Sequence, residues 1–209
     1  MRSARSFTST TPSSRPRAEV AAAPDARRWL TAILTLALFG ATLGTALDAV
    51  HVHTGTTAYA HPVLFGQAWW VPPLFASASV AIGLGRPLAA RLLGRAGRAV
   101  SPAMVAQGMG LFVAAYVASG LVGEDPWLCS ALLAALFVVG WLRCDGSGVG
   151  LLLAALTAIG GTAVEMALVG AGAFAYLHPS IGGVAVWLPL LYCCASVGVG
   201  ALGGWLVDG

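Results

Sequence analysis

The chain has 209 residues, of which 58% are hydrophobic and only 9% are charged, and its formal net charge is +3. Soluble domains usually have about a quarter of their residues charged, so this composition excludes a water-soluble fold. The basic residues are all arginines. Because they form no stripe interleaved with aromatic residues, the charge does not indicate a nucleic-acid-binding protein.

The start of the chain differs in composition from the rest. Residues 1–28 are rich in Arg, Ser, Thr and Pro and show no apolar periodicity, which predicts a disordered tail. They lack the apolar core of a secretory signal, although a composition rich in Arg and Ser also fits an organelle transit peptide. We therefore divide the chain into a tail, residues 1–28, and a membrane domain, residues 29–209.

Six apolar segments follow the tail. A membrane-spanning helix needs about 20 apolar residues, and a Pro- and Gly-containing run at residues 177–183 separates the last two segments. The predicted spans are residues 29–50, 69–85, 103–122, 127–141, 149–176 and 184–207. The pattern predicts an all-α membrane protein, a six-transmembrane-helix bundle.

The arginines predict the orientation of this bundle. With six spans, all 11 arginines either precede the first segment or lie in the loops after the second and the fourth. The positive-inside rule then places the N- and C-termini in the cytoplasm. The chain has no lysine and is rich in Ala and Gly, which is typical of a GC-rich genome. We therefore expect a bacterial plasma membrane, or the endoplasmic reticulum membrane if the source is eukaryotic.

Most aromatic and sulfur-containing side chains have structural interpretations. Tryptophans near segment ends are typical of an interfacial belt. They are Trp29, Trp69, Trp70, Trp127, Trp141 and Trp187. Because no cysteines have CxxC spacing, we expect free, buried thiols. The cysteines are Cys129, Cys144, Cys193 and Cys194.

A few polar residues could carry chemistry. Glu165 lies near the middle of the fifth predicted segment, where a carboxyl group could relay a proton or cation, hydrogen-bond a ligand, or bond to a neighbouring helix in its protonated form. Asp48 is expected to be solvated at the membrane interface. His51, His53 and His61 share one loop, but no carboxylate or thiol completes a metal-binding spacing, so we expect no metal and no cofactor.

One block of the sequence resembles a known family. Ala68-Trp69-Trp70-Val71-Pro72-Pro73, followed by Ala78-Ser79, Ile82-Gly83-Leu84 and Pro87, resembles the Insig family, which has these residues at the same spacing. Two weaker blocks agree with it. They are Phe112-Val113 with Ala118-Ser119 and Asp125, and Gly172 with Tyr176, Pro179 and Trp187-Leu188-Pro189. Together the blocks cover about residues 65–206.

The resemblance implies a six-helix regulator that binds a lipid and is not an enzyme. Its ligand would be an apolar molecule with a small polar head, such as a sterol or diacylglycerol. The family's sterol-site phenylalanine falls on Phe112. A glutamine of the family's fourth helix falls on Cys129, so that polar contact is absent here. The family's partner-binding aspartate falls near Asp145, in a loop that is shorter here and lacks a basic residue, which weakens the implication of a protein partner.

Physical chemistry is compatible with a lipid ligand. A mostly apolar bundle can enclose an elongated apolar molecule, with one or two polar groups fixing its hydroxyl end. The available groups are Gln107, Tyr116, Ser119 and Glu165, although the same groups could bond between helices.

Two other functions remain open from the sequence. A small membrane transporter or enzyme could be built around Glu165, although no hydrolase, metalloprotease or phosphate-binding motif is present. A homo-oligomer could form through the fifth and sixth segments, where Gly200 and Gly204 have the spacing of a small-xxx-small helix contact.

Overall fold

The structure, a computed structural model, describes residues 25–94 and 99–209. In this part of the chain six helices are long and apolar enough to cross a membrane, which confirms the predicted all-α, six-helix architecture. They are α1, Ala26–His53; α2, Val71–Leu92; α3, Pro102–Val122; α4, Pro126–Cys144; α5, Gly148–Gly170; and α6, Leu188–Asp208. Most of the predicted tail lies outside the described residues, and α1 begins three residues before the predicted boundary.

Local sequence explains where the helices begin. In four of them the side chain of an Asp or Ser accepts a hydrogen bond from a first-turn amide that has no partner within the helix. These caps are Asp25, Ser101, Asp125 and Ser147, which precede α1, α3, α4 and α5. The helices α2, α3, α4 and α6 have proline in their first turn, where the missing amide hydrogen would have had no partner.

Two short strands lie at one end of the bundle and were not predicted. β1, Thr57–Tyr59, follows α1, and β2, Phe174–Tyr176, follows α5. They pair antiparallel, with Ala58 opposite Ala175. Strands of three residues are too short to produce an alternating pattern that a sequence could reveal.

The fifth predicted span was too long at its C-terminal end. It was predicted to run through residues 149–176, but α5 ends at Gly170. Gly172 follows with φ of +71°, a conformation that glycine adopts without steric cost and that commonly ends helices. The residues beyond it are extended because they pair with β1.

The two strands belong to an internal repeat. The chain after α1 and the chain after α5 match at a constant separation, and each forms a strand, a tight hairpin and then a helix. The matched pairs are Ala58 and Ala175, Tyr59 and Tyr176, His61 and His178, Pro62 and Pro179, Gly66 and Gly183, Ala68 and Ala185, Trp70 and Trp187, and Pro72 and Pro189. Because the equivalent residues Ala58 and Ala175 face each other across the strands, an approximate two-fold axis passes between them. The repeat thus relates α1 and α2 to α5 and α6.

The central helix of the bundle is α6. It packs against each of the other five helices and is the most buried of the six. Its small residues allow close approach within the chain, with Gly203 on Gly83 of α2 and Gly198 on Gly108 of α3. Gly200, in contrast, has open space where a side chain would project.

The described arginines and the two strands lie at opposite ends of the bundle. Arg28 Nη1 donates to the carbonyl oxygen of Gly209 at 2.9 Å, and Arg86 Nη1 donates to that of Cys144 at 3.2 Å. These bonds join the start of α1 to the end of α6, and the end of α2 to the end of α4. Residues 95–98, with two further arginines, lie outside the described part of the chain.

One predicted interfacial tryptophan is a core residue. Trp69 and Trp127 are 72% and 81% exposed, as an interfacial belt requires, but Trp187 is only 1% exposed. Its indole nitrogen donates to the carbonyl oxygen of Gly123 at 3.1 Å. The belt prediction was wrong for Trp187 because position near a helix end does not reveal which way the side chain faces.

Candidate functional site

A cavity of about 560 Å³ lies between α1, α2, α5 and α6, and α3 contributes to one side. Most of its wall is apolar, including Phe75, Ile82, Phe112, Leu156 and Leu191. Most polar side chains are grouped at the end next to β1 and β2. They are Asp48, His51, Thr57, Tyr59, Tyr116, Glu165, Tyr176 and Tyr192, and the wall also includes the hydroxyls of Ser77, Ser79 and Thr157. The cavity is therefore mostly apolar along its length and most polar at one end.

Asp48 is a buried member of this polar end. Its Oδ2 accepts hydrogen bonds from the Tyr59 hydroxyl at 2.6 Å and from Gln67 Nε2 at 2.7 Å. The residue is only 6% exposed, so the predicted solvated position at the interface was wrong. The strand and hairpin that follow α1 fold back over Asp48 and supply both hydrogen-bond donors, which the position of Asp48 along the helix could not reveal.

Glu165 lies on α5 and also bonds to two donors. Its Oε2 accepts from the Tyr176 hydroxyl at 2.5 Å, and its Oε1 accepts from the Tyr192 hydroxyl at 2.7 Å. Tyr192 reaches Glu165 because its ring lies over Gly161, one turn away on α5, where a larger side chain would collide with the ring. Glu165 was predicted to lie near the middle of a span. Since α5 ends at Gly170, it lies instead in the last two turns of the helix.

The two carboxyl groups occupy equivalent positions of the internal repeat. Asp48 and Glu165 are separated by the same interval as Tyr59 and Tyr176, and each acid bonds to the tyrosine of its own repeat. Asp48, Tyr59, Tyr176 and Tyr192 were not predicted as site residues. An alignment of the sequence with itself reveals the repeat and shows that the two acids occupy equivalent positions.

The tyrosines of the two strands act as hydrogen-bond donors. Burial raises the pKa of Tyr59, and the nearby charge of Asp48 raises it further. Burial likewise raises the pKa of Tyr176 well above its usual value, and the charge of Glu165 adds to the effect. Both phenols therefore keep their protons at neutral pH and donate hydrogen bonds to the carboxyl groups.

His51 forms the third polar group of this end. Its Nε2 lies 2.9 Å from the Ser119 hydroxyl, and its ring stacks on Tyr116 with 4.6 Å between the ring centroids. The Trp187 ring packs against it at 5.7 Å. These contacts hold the imidazole in the cavity wall and connect it to α3 and α6.

The residues predicted to bind lipid separate into two groups. Phe112, Tyr116 and Glu165 line the cavity. Ser119 and Cys129 are fully buried but lie outside the cavity lining, and Gln107 is exposed on α3. Cys129 is one of four free cysteines among the described residues, as expected.

The histidines do not form a metal centre in the described part of the chain. No group of three His, Cys, Asp or Glu side chains there is arranged to hold a metal ion. His53 is bonded to the carbonyl oxygen of Ala49, and His178 lies 3.6 Å from Glu124.

Asp145 lies at the opposite end of the bundle from the polar groups. Its Oδ2 lies 3.6 Å from Arg86 Nη1, and both side chains are only 14% exposed. Its Oδ1 accepts hydrogen bonds from the amide and the hydroxyl of Ser147, which in turn caps α5. Asp145 thus connects the end of α2 to the start of α5.

We expect Asp145→Ala to destabilise the isolated protein. Removing the carboxylate leaves the partly buried Arg86 without this charge partner and loosens the turn that caps α5, a loss of about 2 kcal/mol. The thermal midpoint in detergent should fall by about 5 °C, while the exposed Asp208→Ala control should change little. An unchanged midpoint for Asp145→Ala would indicate that the side chain has no structural role.

Comparison with known proteins identifies the family. No protein-family model matches the chain. The chain is 30% identical over 181 residues to the insulin-induced gene 1 protein of Cricetulus griseus, which covers 84% of this chain and 70% of that protein. The chain belongs to the Insig family. The insulin-induced gene 2 protein of Gallus gallus is also 30% identical, over 81% of this chain and 78% of its own length.

Solved Insig structures have the same fold. The crystal structure of the mycobacterial Insig homolog MvINS from Mycobacterium vanbaalenii has a TM-score of 0.76 at 32% sequence identity. The match covers 85% of this chain and 95% of the MvINS chain. A cross-linked MvINS trimer gives the same TM-score at 33% identity. The family resemblance and the six-helix fold inferred from the sequence are confirmed.

Proposed function

We propose that this Insig-family protein is a non-enzymatic lipid-binding regulator or sensor that holds one apolar lipid between α1, α2, α5 and α6. The ligand would have a small polar head, as a sterol or diacylglycerol does. The cavity carries this proposal, because its volume of about 560 Å³, apolar wall and polar end are suited to such a molecule. Small-molecule sites typically have volumes of roughly 300–1,000 Å³ and a few placed polar groups.

In this proposal the cavity residues have distinct roles. Phe112 and Tyr116, which pack edge to face with 5.7 Å between their ring centroids, contact the apolar part of the lipid. Glu165 lies at the end where the head would be placed. Ser119 acts indirectly by bonding to His51, and Cys129 packs behind the cavity.

The proposal includes a location and an assembly. The arginine distribution supports cytoplasmic N- and C-termini, and the composition, which lacks lysine and is rich in Ala and Gly, supports a bacterial plasma membrane. The cross-linked trimer of MvINS supports a homo-oligomer. The contacts of Asp145 described above are structural and give no support for a protein partner at this loop.

A transporter or enzyme built around Glu165 has less support. Both oxygens of this carboxyl group already accept hydrogen bonds from tyrosines. Among the described residues no arginine lines the cavity to act as an intramembrane counter-charge. We therefore retain lipid binding as the one proposed function.

Filling the cavity should remove the bound lipid. Ala78 lines the cavity on α2, and Ala78→Phe places a phenyl ring where the lipid would lie. We expect the lipid that co-purifies with the protein, measured by mass spectrometry after organic extraction, to fall by about fivefold. Ala106→Phe adds the same ring on the exposed face of α3 and should leave the lipid content unchanged.

The unmodified protein provides a direct test of the same proposal. Lipid that binds the folded state raises the thermal midpoint by mass action. If no lipid co-purifies and added sterol or diacylglycerol leaves the midpoint unchanged, the proposed function is wrong.

A further inference from the structure

The cavity wall holds acidic side chains but no arginine or lysine among the described residues. Two carboxyl groups, those of Asp48 and Glu165, line the polar end. The chain has no lysine, and none of the described arginines lines the cavity. Arg86 lies towards the other end of the bundle and is paired with Asp145. His51 is the one imidazole in the wall, and its Nε2 is engaged by Ser119.

Part of the hydrogen-bonding capacity of this end is left for a ligand. Both hydrogen bonds to Asp48 reach the same atom, Oδ2, and no described residue bonds to Oδ1. The Thr57 hydroxyl is also without a partner among the described residues, although Thr57 is only 4% exposed and lines the cavity. Buried polar groups are normally satisfied, so an unpaired hydroxyl in the cavity wall indicates a missing polar partner.

The repeat places the two acids on either side of the approximate two-fold axis. Asp48 and Glu165 approach the polar end from α1 and α5, and the paired strands β1 and β2 lie between their tyrosines. A single head group at this end is therefore flanked by acceptors on both sides. A head that carries several donors would match this arrangement better than one that carries a single hydroxyl.

We propose that the cavity selects lipids by the charge of the head and prefers a long-chain primary amine to a neutral alcohol or a carboxylate. This inference rests on the proposed lipid-binding function. An ammonium group has three donors, which Asp48 Oδ1, the Thr57 hydroxyl and a remaining lone pair of Glu165 can accept, and its positive charge is complementary to a wall that holds two carboxyl groups. A carboxylate head would bring a third acid next to these two and would meet no arginine among the described wall residues, which is unfavourable.

Three ligands with the same tail test this preference. Oleylamine, oleyl alcohol and oleate differ only in the head, so their affinities for the delipidated protein in non-ionic detergent at neutral pH can be compared directly. We expect oleylamine to bind about tenfold more tightly than oleyl alcohol, and oleate to bind most weakly. Equal binding of the three ligands would overturn the inference but leave lipid binding intact, whereas no binding of any of them would contradict both.

Matched variants locate the selectivity. Asp48→Asn and Glu165→Gln each replace one carboxyl group of the wall with an amide, and each should reduce the ratio of amine to alcohol affinity while alcohol binding is retained. Glu124→Gln makes the same replacement at the same end of the bundle, but its side chain is 78% exposed, so the ratio should not change. A preference that survives in both cavity variants would overturn the assignment to these acids. The comparison of the three ligands on the unmodified protein decides the preference even if a variant does not fold.

Discussion

Gly203→Ala is expected to lower the thermal midpoint by about 8 °C, a loss of roughly 3 kcal/mol. A methyl group at Gly203 would overlap the backbone carbonyl of Gly83 on α2. A backbone oxygen cannot change rotamer, so the clash is relieved only if α2 and α6 move apart. Because α6 packs against every other helix, that movement disturbs the whole bundle.

The same substitution at Gly200 should have the opposite sign. A methyl group there meets no atom of a neighbouring helix within 4 Å, so Gly200→Ala mainly gains the helix propensity of alanine. The midpoint should rise by about 2 °C. Fluorescence-detected size-exclusion chromatography after heating measures both variants in detergent. If the two variants shift the midpoint in the same direction, the close packing of α2 on α6 at Gly203 is contradicted.

Trp187→Ala is expected to be at least as damaging, with a loss of about 4 kcal/mol and a midpoint lower by about 12 °C. The side chain is almost completely buried and donates a hydrogen bond to Gly123. Its ring also packs against His51 and, at 6.1 Å, against Tyr176. Removing it leaves a cavity in the core and loosens two residues of the polar end, so co-purifying lipid should decrease as well.

Two variants separate burial from hydrogen bonding at this position. Trp187→Phe keeps an aromatic ring but loses the hydrogen bond to Gly123. Its loss of folding free energy should therefore exceed the loss expected from the smaller ring alone by about 1–2 kcal/mol. Trp127→Ala removes a tryptophan that is 81% exposed and should change the midpoint little. Equal losses for Trp187→Ala and Trp127→Ala would show that Trp187 is an interfacial residue, as first predicted.

Hydropathy was sufficient to predict the helices but not their ends. The six spans follow from apolar length, since a lipid environment requires every backbone group to bond within its own helix. The end of α5 was predicted too late because the apolar segment Phe174–Tyr176 is indistinguishable in hydropathy from a continuation of the helix. In the structure this segment is β2 and pairs with β1. Local composition contains no information about a strand partner more than a hundred positions away.

The candidate site was only partly predictable for a related reason. Phe112 was predicted from the family resemblance, and Glu165 was predicted from the energetic cost of an acid in an apolar segment. Asp48 was expected to be solvated because it lies near a helix end. His51 was considered only as a metal ligand, yet it lies in the cavity wall with Tyr116 and Ser119. The internal repeat was present in the sequence as matched residues such as Tyr59 and Tyr176, and it is the one signal that would have connected the two acids.

The sequence by itself determined that the chain has six helices long and apolar enough to cross a membrane, with the described arginines at one end of the bundle. That result depends on the sum of side-chain hydrophobicities along short segments, which is a local property. Only the tertiary structure decided that Asp48 is buried, that Trp187 faces the core and that a cavity has one polar end formed by both halves of the repeat. The physical reason is that the environment of a polar or aromatic side chain is set by residues that are distant in the chain and come together only when the helices pack.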